Sequence, residues 1–232
     1  MSRSPVQNKL LQKLTTADFE AVWPRLERVD LELKQQVLTR GEVIAFVYFP
    51  ETSVCSLLAQ TDHVQPIEVG MFGFEGMSNM VVRAGDRTAL SSVVQVAGEA
   101  WRITAENFSS LLHSQPSLNE MALRYKEASA IQFAYTAFAH GSFTIEERLA
   151  RWLLMSHDRS RRETIPMIHE FLAAMLAVRR SGVTTAMHVL EGYGAIKAIR
   201  GAITIRDRPK LLELAGESYG VPEAEYDRLM AY

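Results

Sequence analysis

The clearest hydrophobic pattern in this 232-residue chain lies between Ile165 and Ile205. Apolar residues recur there every three or four positions in two short runs, which predicts two helices that each bury one face. These residues are Leu172, Ala173 and Leu176 in the first run and Val183, Ala186, Met187 and Leu190 in the second. Two alternating segments, Ile196 to Ile199 and Ala202 to Ile205, then flank Arg200-Gly201, which predicts a β-hairpin with a basic tip. A helix-turn-helix followed by a hairpin is typical of a winged DNA-binding unit.

The turn between the two predicted helices is short, running through Leu176, Ala177 and Val178. A steep helix crossing needs small residues at the contact, and Ala173 and Ala177 are both small. Glycine is the commoner residue at such a turn, so we expect Ala177 to be strained or differently set.

The second helix opens with Arg179, Arg180 and Ser181, which a helix entering the major groove would present to bases and phosphates. Arg180 is the best candidate for reading a guanine. The candidate DNA-binding residues are Arg179, Arg180, Ser181, Thr184, Thr185, His169, Lys197 and Arg200. Two amphipathic helices joined by a turn also occur in any helical bundle. Charge favours the DNA-binding interpretation. Residues 148–210 hold twelve Lys or Arg against five Asp or Glu, a net charge of +7, so the rest of the chain carries −9 to give the overall −2.

The N-terminal half has a different pattern of apolar residues and turn formers. Asn8 to Leu14 predicts a short helix, and Thr15 offers an N-cap for a second helix that reaches Trp23. From Val29 to Ile103, short β-branched or aromatic segments alternate with turn formers, which predicts a small β-barrel or jelly roll. The segments are Val43 to Phe49, Ser53 to Leu58, Pro66 to Val69 and Ser92 to Ala97.

A helix should start near Thr104, and Pro116 should interrupt it before a long helix that ends at His140-Gly141, a hinge. Mostly apolar positions in the long helix alternate in spacings of three and four, as in a coiled-coil seam. They are Leu118, Met121, Tyr125, Ala128, Gln132, Tyr135 and Ala139. Two partners remain open for this stripe, a second copy of the chain and the chain's own barrel. Further helices are expected over Glu146 to Leu154, Pro209 to Ala215 and Pro222 to Met230.

These elements predict an α+β protein with three parts: a sensor domain over residues 1–115, a dimerisation helix over 116–140, and a winged helix-turn-helix domain with a C-terminal extension over 141–232. A composition of 47% hydrophobic and 22% charged residues favours globular cores. The longest apolar run is too short to span a bilayer and the N-terminus lacks a signal region, so we expect a cytoplasmic protein with no membrane partner. The single cysteine, Cys55, is expected to be a buried structural thiol.

The sequences of several segments resemble those of the Crp/Fnr family of bacterial transcription regulators, and the resemblance covers nearly the whole chain. The most specific piece runs from Glu147 to Leu154 and leads into the winged unit, and Gly73-Phe74-Glu75-Gly76-Met77 is similar to a proteobacterial branch whose sensor domain is only cyclic-nucleotide-binding-like. The resemblance implies a homodimer on palindromic double-stranded DNA, with RNA polymerase as a further partner. The family's main base-reading positions match Arg180, Ser181 and Thr185; the archetypal cyclic-AMP regulator carries Arg, Glu and Arg there, which implies a different operator. Arg179, His169 and Lys197 are expected to contact phosphate.

For an effector, the resemblance points to Glu75 and Gly76 for a ribose and to Arg87 and Thr88 for a phosphate. Extra residues around Glu75, and Phe133-Ala134 where nucleotide binders have Thr-Ser, disfavour a cyclic nucleotide. An exposed loop arginine is the simpler interpretation of Arg87. The scattered histidines disfavour haem, and we expect no metal.

No catalytic constellation is recognisable, so we expect no enzyme. The alternative function is a sensor or dimerisation module that has lost specific DNA reading. Ile168, where a Thr cap is usual, and Ala177 favour that alternative, whereas Arg179, Arg180 and the basic wing oppose it.

Overall fold

The structure is a computed structural model that describes residues 6–79, 83, 85–167 and 169–231. Two short helices open the described chain, α1 (Lys9–Lys13) and α2 (Thr16–Val22). The Asn8 side chain caps α1 by accepting from the backbone N–H groups of Leu10 and Leu11, and Thr15 caps α2. Both predicted N-terminal helices are therefore confirmed.

Among the described residues, seven antiparallel strands form the N-terminal domain, the part for which the sequence predicts a sensor. They are β1 (Glu27–Leu31), β2 (Gln36–Leu38), β3 (Phe46–Pro50), β4 (Val54–Thr61), β5 (Val64–Phe72), β6 (Ser91–Val96) and β7 (Gly98–Thr104). One sheet has the order β1-β7-β3 and the other the order β2-β6-β4-β5. Val47, Phe49, Phe72, Val94 and Ile103 are buried in the core that the two sheets share. The predicted β-barrel or jelly roll is confirmed, although the sequence did not locate β1, β2 or β7.

Two helices follow, α3 (Ala105–Ser114), capped by Thr104, and α4 (Pro116–Ser142). The predicted homodimer seam of α4 needs correction. Leu118 and Met121 are each 1% exposed, and Tyr125 and Ala128 are also buried, so this part of the stripe is covered within the single chain. Leu118, Met121 and Tyr125 belong to the sensor core. Gln132 and Tyr135 are half-buried, and α4 continues past His140-Gly141 to Ser142.

The C-terminal domain contains α5 (Ile145–Ser160), β8 (Thr164–Pro166), α6 (His169–Met175), α7 (Arg180–Gly192), β9 (Ile196–Ile199) and β10 (Ala202–Ile205). A capping box between Thr144 and Glu147 starts α5. The helix-turn-helix and the hairpin lie where the sequence predicts them. The wing sheet has the order β8-β10-β9, and its third strand, β8, was not predicted.

The C-terminal extension crosses from one domain to the other. Its helices are α8 (Arg208–Ala215), which packs on α5, and α9 (Val221–Leu229), which packs on α4. Tyr226 Oη donates to the carbonyl of Glu75 at 2.6 Å, and Met230 is buried in the sensor core. The extension therefore connects the helix-turn-helix domain to the N-terminal domain.

Candidate nucleic-acid interface

The second helix of the helix-turn-helix, α7, has one buried face and one exposed face. Val183, Ala186 and Leu190 are fully buried in the core that α7 shares with α5. The residues on the opposite face are exposed, and they are Arg180, Ser181, Thr185 and His188. The N-cap residue Arg179 is also exposed and makes no side-chain hydrogen bond to the first turn of this helix. The helix thus presents two guanidinium groups and a helix N-terminus on its free face, an arrangement that favours anions.

The two threonines of α7 already use their hydroxyl protons. Thr184 Oγ1 donates to the carbonyl of Arg180 at 3.2 Å, and Thr185 Oγ1 donates to the carbonyl of Ser181 at 3.1 Å. What remains for an external partner is oxygen lone pairs and a methyl group. Thr185, the more exposed of the two, is therefore suited to accept a hydrogen bond from a base amino group or to contact a thymine methyl.

The wing lies beside α7 and is tied to it. Glu191 Oε1 accepts the backbone N–H of Ala198 in β9 at 2.8 Å. Lys197 and Arg200 are exposed, and Gly201 has a φ of 80°, the left-handed conformation that the hairpin turn needs. This carboxylate therefore adds a hydrogen bond between α7 and the wing to the core that Ile196 and Ile203 share with the helix.

The turn between α6 and α7 contains a residue in the left-handed conformation, which glycine usually adopts, and that residue is Ala177. Ala177 has a φ of 53°, and the N–H groups of Val178 and Ala177 donate to the carbonyls of Ala173 and Ala174 at 3.0 and 3.2 Å. This is the Schellman pattern of helix termination. The prediction that Ala177 is strained is confirmed.

An arginine of α5 holds this turn in place. Arg148 Nη2 donates to the carbonyl of Leu176, and the same nitrogen lies 2.7 Å from Nδ1 of His140 at the end of α4. A guanidinium can only donate, so Nδ1 of His140 is the acceptor and is unprotonated. Burial, and then the charge of Arg148, lower the pKa of His140. Sequence reasoning did not identify either residue as a link between the helices.

The predicted effector residues have partners within the chain. Glu75 is buried; its Oε1 lies 2.8 Å from Arg159 Nε, and its Oε2 accepts the N–H of Gly73 at 3.0 Å. Gly76 packs so closely on Tyr125 that a side chain would overlap the ring. Arg87 is exposed and donates to the carbonyl of Gly41 at 2.7 Å.

The fourth effector candidate also has a local partner, because Thr88 Oγ1 donates to the carbonyl of Leu90 at 2.9 Å. Among the described contacts, no hydrogen bond or ion pair joins Glu75 to Arg87. Ile168 lies outside the described residues. His169 begins α6, and its side chain is not described.

Two buried side chains of the sensor sheet are chemically notable. Glu68 on β5 accepts hydrogen bonds from Ser56 Oγ and, at 2.7 Å, from Gln95 Nε2, and its burial raises its pKa to about 7. Cys55 is fully buried, as predicted, and burial raises the pKa of its thiol. In the described part of the chain, no group of three or more His, Cys, Asp or Glu side chains is placed to hold a metal ion. Within the same part, no helix has the length and apolar character needed to cross a membrane.

Two cavities border α4. One of about 360 Å³ lies between α4, α5 and α9, and its walls include the Glu75–Arg159 pair, Tyr125 and Tyr226. The other, of about 590 Å³, lies between the β4–β5 hairpin, the end of α4 and the turn at Ala177.

Residues 147–214 match the family model of the Crp-like helix-turn-helix domain. A solved structure of a putative transcriptional regulator of the Crp/Fnr family from Eubacterium rectale is 15% identical, with a TM-score of 0.69 over 90% of this chain and 98% of that chain. FixK2 from Bradyrhizobium japonicum is 13% identical, with a TM-score of 0.70 over 82% and 98%. The c-di-GMP responsive global regulator CLP from Xanthomonas campestris is 13% identical, with a TM-score of 0.65 over 82% and 99%. The order of barrel, long helix and winged domain is a shared fold, and no curated protein sequence matches the chain.

Proposed function

We infer that this chain belongs to the Crp/Fnr family of transcription regulators and acts as a homodimeric, sequence-specific reader of double-stranded DNA. The observation that carries this proposal is α7, which buries its apolar face against α5 and exposes Arg180, Ser181 and Thr185 inside the Crp-like domain.

Base reading and phosphate contact fall to different residues in this proposal. Arg180 offers a fork of donors that fits the O6 and N7 acceptors of guanine. Thr185 and Ser181 contribute oxygen acceptors, and Thr185 adds a methyl group. The neighbouring cations contact the phosphates of the DNA and position the helix without distinguishing one base from another. They are Arg179, Lys197 and Arg200, with His169 as a further candidate.

The dimer face of α4 is the side opposite the predicted seam. Exposed apolar residues follow spacings of three and four there from Ala130 through Ala134 and Ala137 to Gly141, with Phe138 beside them. Leu123 lies on the same side seven residues before Ala130, and Glu127 is the charged position between them. These positions lie two residues beyond those of the predicted seam, which is about 200° around an α-helix. Leu123 is 45% exposed and Phe138 52%, and with the alanines they extend an apolar patch along one side of the helix, a feature that marks protein–protein interfaces. Small alanines between them would let two α4 helices approach closely.

The dimer is tested by Ala134→Glu, which places a charge in the middle of this face. We expect the variant to sediment as a monomer where the unmodified chain sediments as a dimer. Ala224→Glu makes the same change at an exposed position of α9 and should remain a dimer. Dimers of equal stability for both variants would contradict the assignment of this face.

DNA reading is tested by titrating the full chain with its selected operator and with random duplex DNA at several salt concentrations. Arg180→Ala should reduce the preference for the operator, whereas Lys197→Ala should weaken binding to both DNAs alike and lower the salt dependence. Arg25→Ala changes an exposed cation of the N-terminal domain, outside both the helix-turn-helix and the dimer face, and should change neither quantity. Binding without a steep salt dependence would instead support the alternative of a module that has lost DNA reading. RNA polymerase is the further partner we propose, testable by co-assembly on operator DNA.

A further inference from the structure

The cavity of about 590 Å³ lies where the sensor meets the reader, and most of its wall is apolar. The β4–β5 hairpin contributes Val64, Ile67 and Val69, and α4 contributes Phe133 and Ala137. A volume of this size is within the range that small-molecule sites occupy. The cavity can therefore hold the apolar body of a small ligand.

One end of the cavity is cationic. Arg148 lines it, uses Nη2 for the carbonyl of Leu176 and for His140, and leaves its buried Nε without a partner. Behind it, Arg151 is 5% exposed, donates from Nη2 to the cavity residue Thr136 at 3.3 Å, and also has an unpartnered Nε. Arg151 is attracted by the charges of Glu223 and Glu68, whereas no described carboxylate compensates the charge of the half-buried Arg148. Because a partly buried cation without a counter-ion is unfavourable, Arg148 favours an anion at this end of the cavity.

The acidic residue in the cavity wall does not fill this need. Glu68 Oε2 already accepts from Ser56 and Gln95. Burial raises the pKa of Glu68 to about 7, so a substantial fraction of this carboxyl is neutral near neutral pH.

We propose that this cavity is an effector site for a small monocarboxylate with an apolar body, whose carboxylate pairs with the guanidinium of Arg148. The apolar walls hold the body, and the uncompensated guanidinium selects the charged end.

The site is coupled to the reader through the turn between α6 and α7. Arg148 holds the carbonyl of Leu176, and the next residue, Ala177, lines the cavity itself. A carboxylate that draws the guanidinium toward the cavity changes this hydrogen bond and the orientation of α7. Effector binding would then bias the spacing of the two recognition helices, a consequence that rests on the proposed function.

The test is calorimetric titration of the full chain with octanoate and with phenylacetate. Octan-1-ol, which has the chain without the charge, and acetate, which has the charge without the chain, are the controls. We expect at least one of the two apolar carboxylates to bind saturably, one per chain. Both controls should bind at least about tenfold more weakly, because octan-1-ol lacks the hydrogen bond between charged groups and acetate lacks the apolar contacts. Saturation by neither carboxylate, or octan-1-ol binding as tightly as octanoate, would overturn the proposal.

Variants locate the site. Arg148→Gln should abolish carboxylate binding and Arg148→Lys should retain part of it. Val64 is 61% exposed at the cavity wall, so Val64→Glu should fold normally and repel the anion, weakening binding about tenfold. Val43→Glu, at a position 49% exposed outside the cavity, is the matched control and should bind normally. Equal binding by the Val64 and Val43 variants would contradict the location. These readouts do not involve DNA, so failure of the effector site and failure of the DNA-reading proposal are distinguishable.

Discussion

Replacing Ala177 with glycine should stabilise the reader. The backbone of Ala177 has a φ of 53°, and its left-handed conformation costs an L-residue with a Cβ roughly 1–2 kcal/mol. Glycine avoids this cost but loses about 0.5–1 kcal/mol through the greater freedom of the unfolded chain. Ala177 is exposed, so little packing is lost. The difference predicts a gain of about 0.5–1 kcal/mol in the free energy of unfolding for Ala177→Gly.

Urea unfolding of the full chain, followed by tryptophan fluorescence and by circular dichroism, measures this gain. Ala174→Gly is the matched control, because it makes the same change three residues earlier, inside α6, where glycine should destabilise by about 1 kcal/mol. The two variants should therefore shift the midpoint in opposite directions. A loss of stability in Ala177→Gly, or shifts of the same sign in both variants, would refute the reasoning from the turn geometry.

Two further predictions concern buried polar groups. Burial raises the pKa of Glu68 from 4.5 to about 7. The proton on this carboxyl therefore stabilises the folded state fully below the unfolded pKa. As the pH rises through 7, that contribution to the free energy of unfolding, about 3 kcal/mol in all, is lost. Unfolding in urea at pH 5 and pH 8 should show a smaller loss with rising pH for Glu68→Gln than for the unmodified chain; equal losses would contradict the burial argument. Tyr226→Phe removes the 2.6 Å hydrogen bond to the carbonyl of Glu75. It should lower the free energy of unfolding by about 1 kcal/mol and speed amide exchange in α9. Tyr193→Phe, at a position 58% exposed, is the control and should change neither quantity. Unchanged exchange in α9 would show that this bond does not hold the extension.

Local patterns predicted the reader well because each of its elements carries its own signal. The apolar spacing in α6 and α7 and the turn residues Arg200-Gly201 specify short-range structure, and the observed bounds of β9 and β10 coincide with the predicted segments. Strands such as β1 were missed because β1 has one buried residue among five and therefore no clear alternation.

The faces of α4 could not be assigned from periodicity alone. Two stripes with the same spacing run along this helix, one containing Leu118 and Met121 and the other Leu123 and Ala134. The first has larger side chains and resembles a seam more closely, but the barrel and α9 cover it. The role of Arg148 was hidden for a related reason, since its partner Leu176 is 28 residues away and no local pattern records that contact.

The most direct test of DNA reading is selection of bound sequences from a random duplex pool by the purified full chain at moderate salt. A homodimeric reader should enrich a palindrome whose half-sites lie about 10 base pairs apart, centre to centre, or a multiple of that spacing. The same selection with Arg180→Ala should lose information at the guanine position of each half-site. A pool that stays random with the unmodified chain, with and without a saturating carboxylate, would contradict the account.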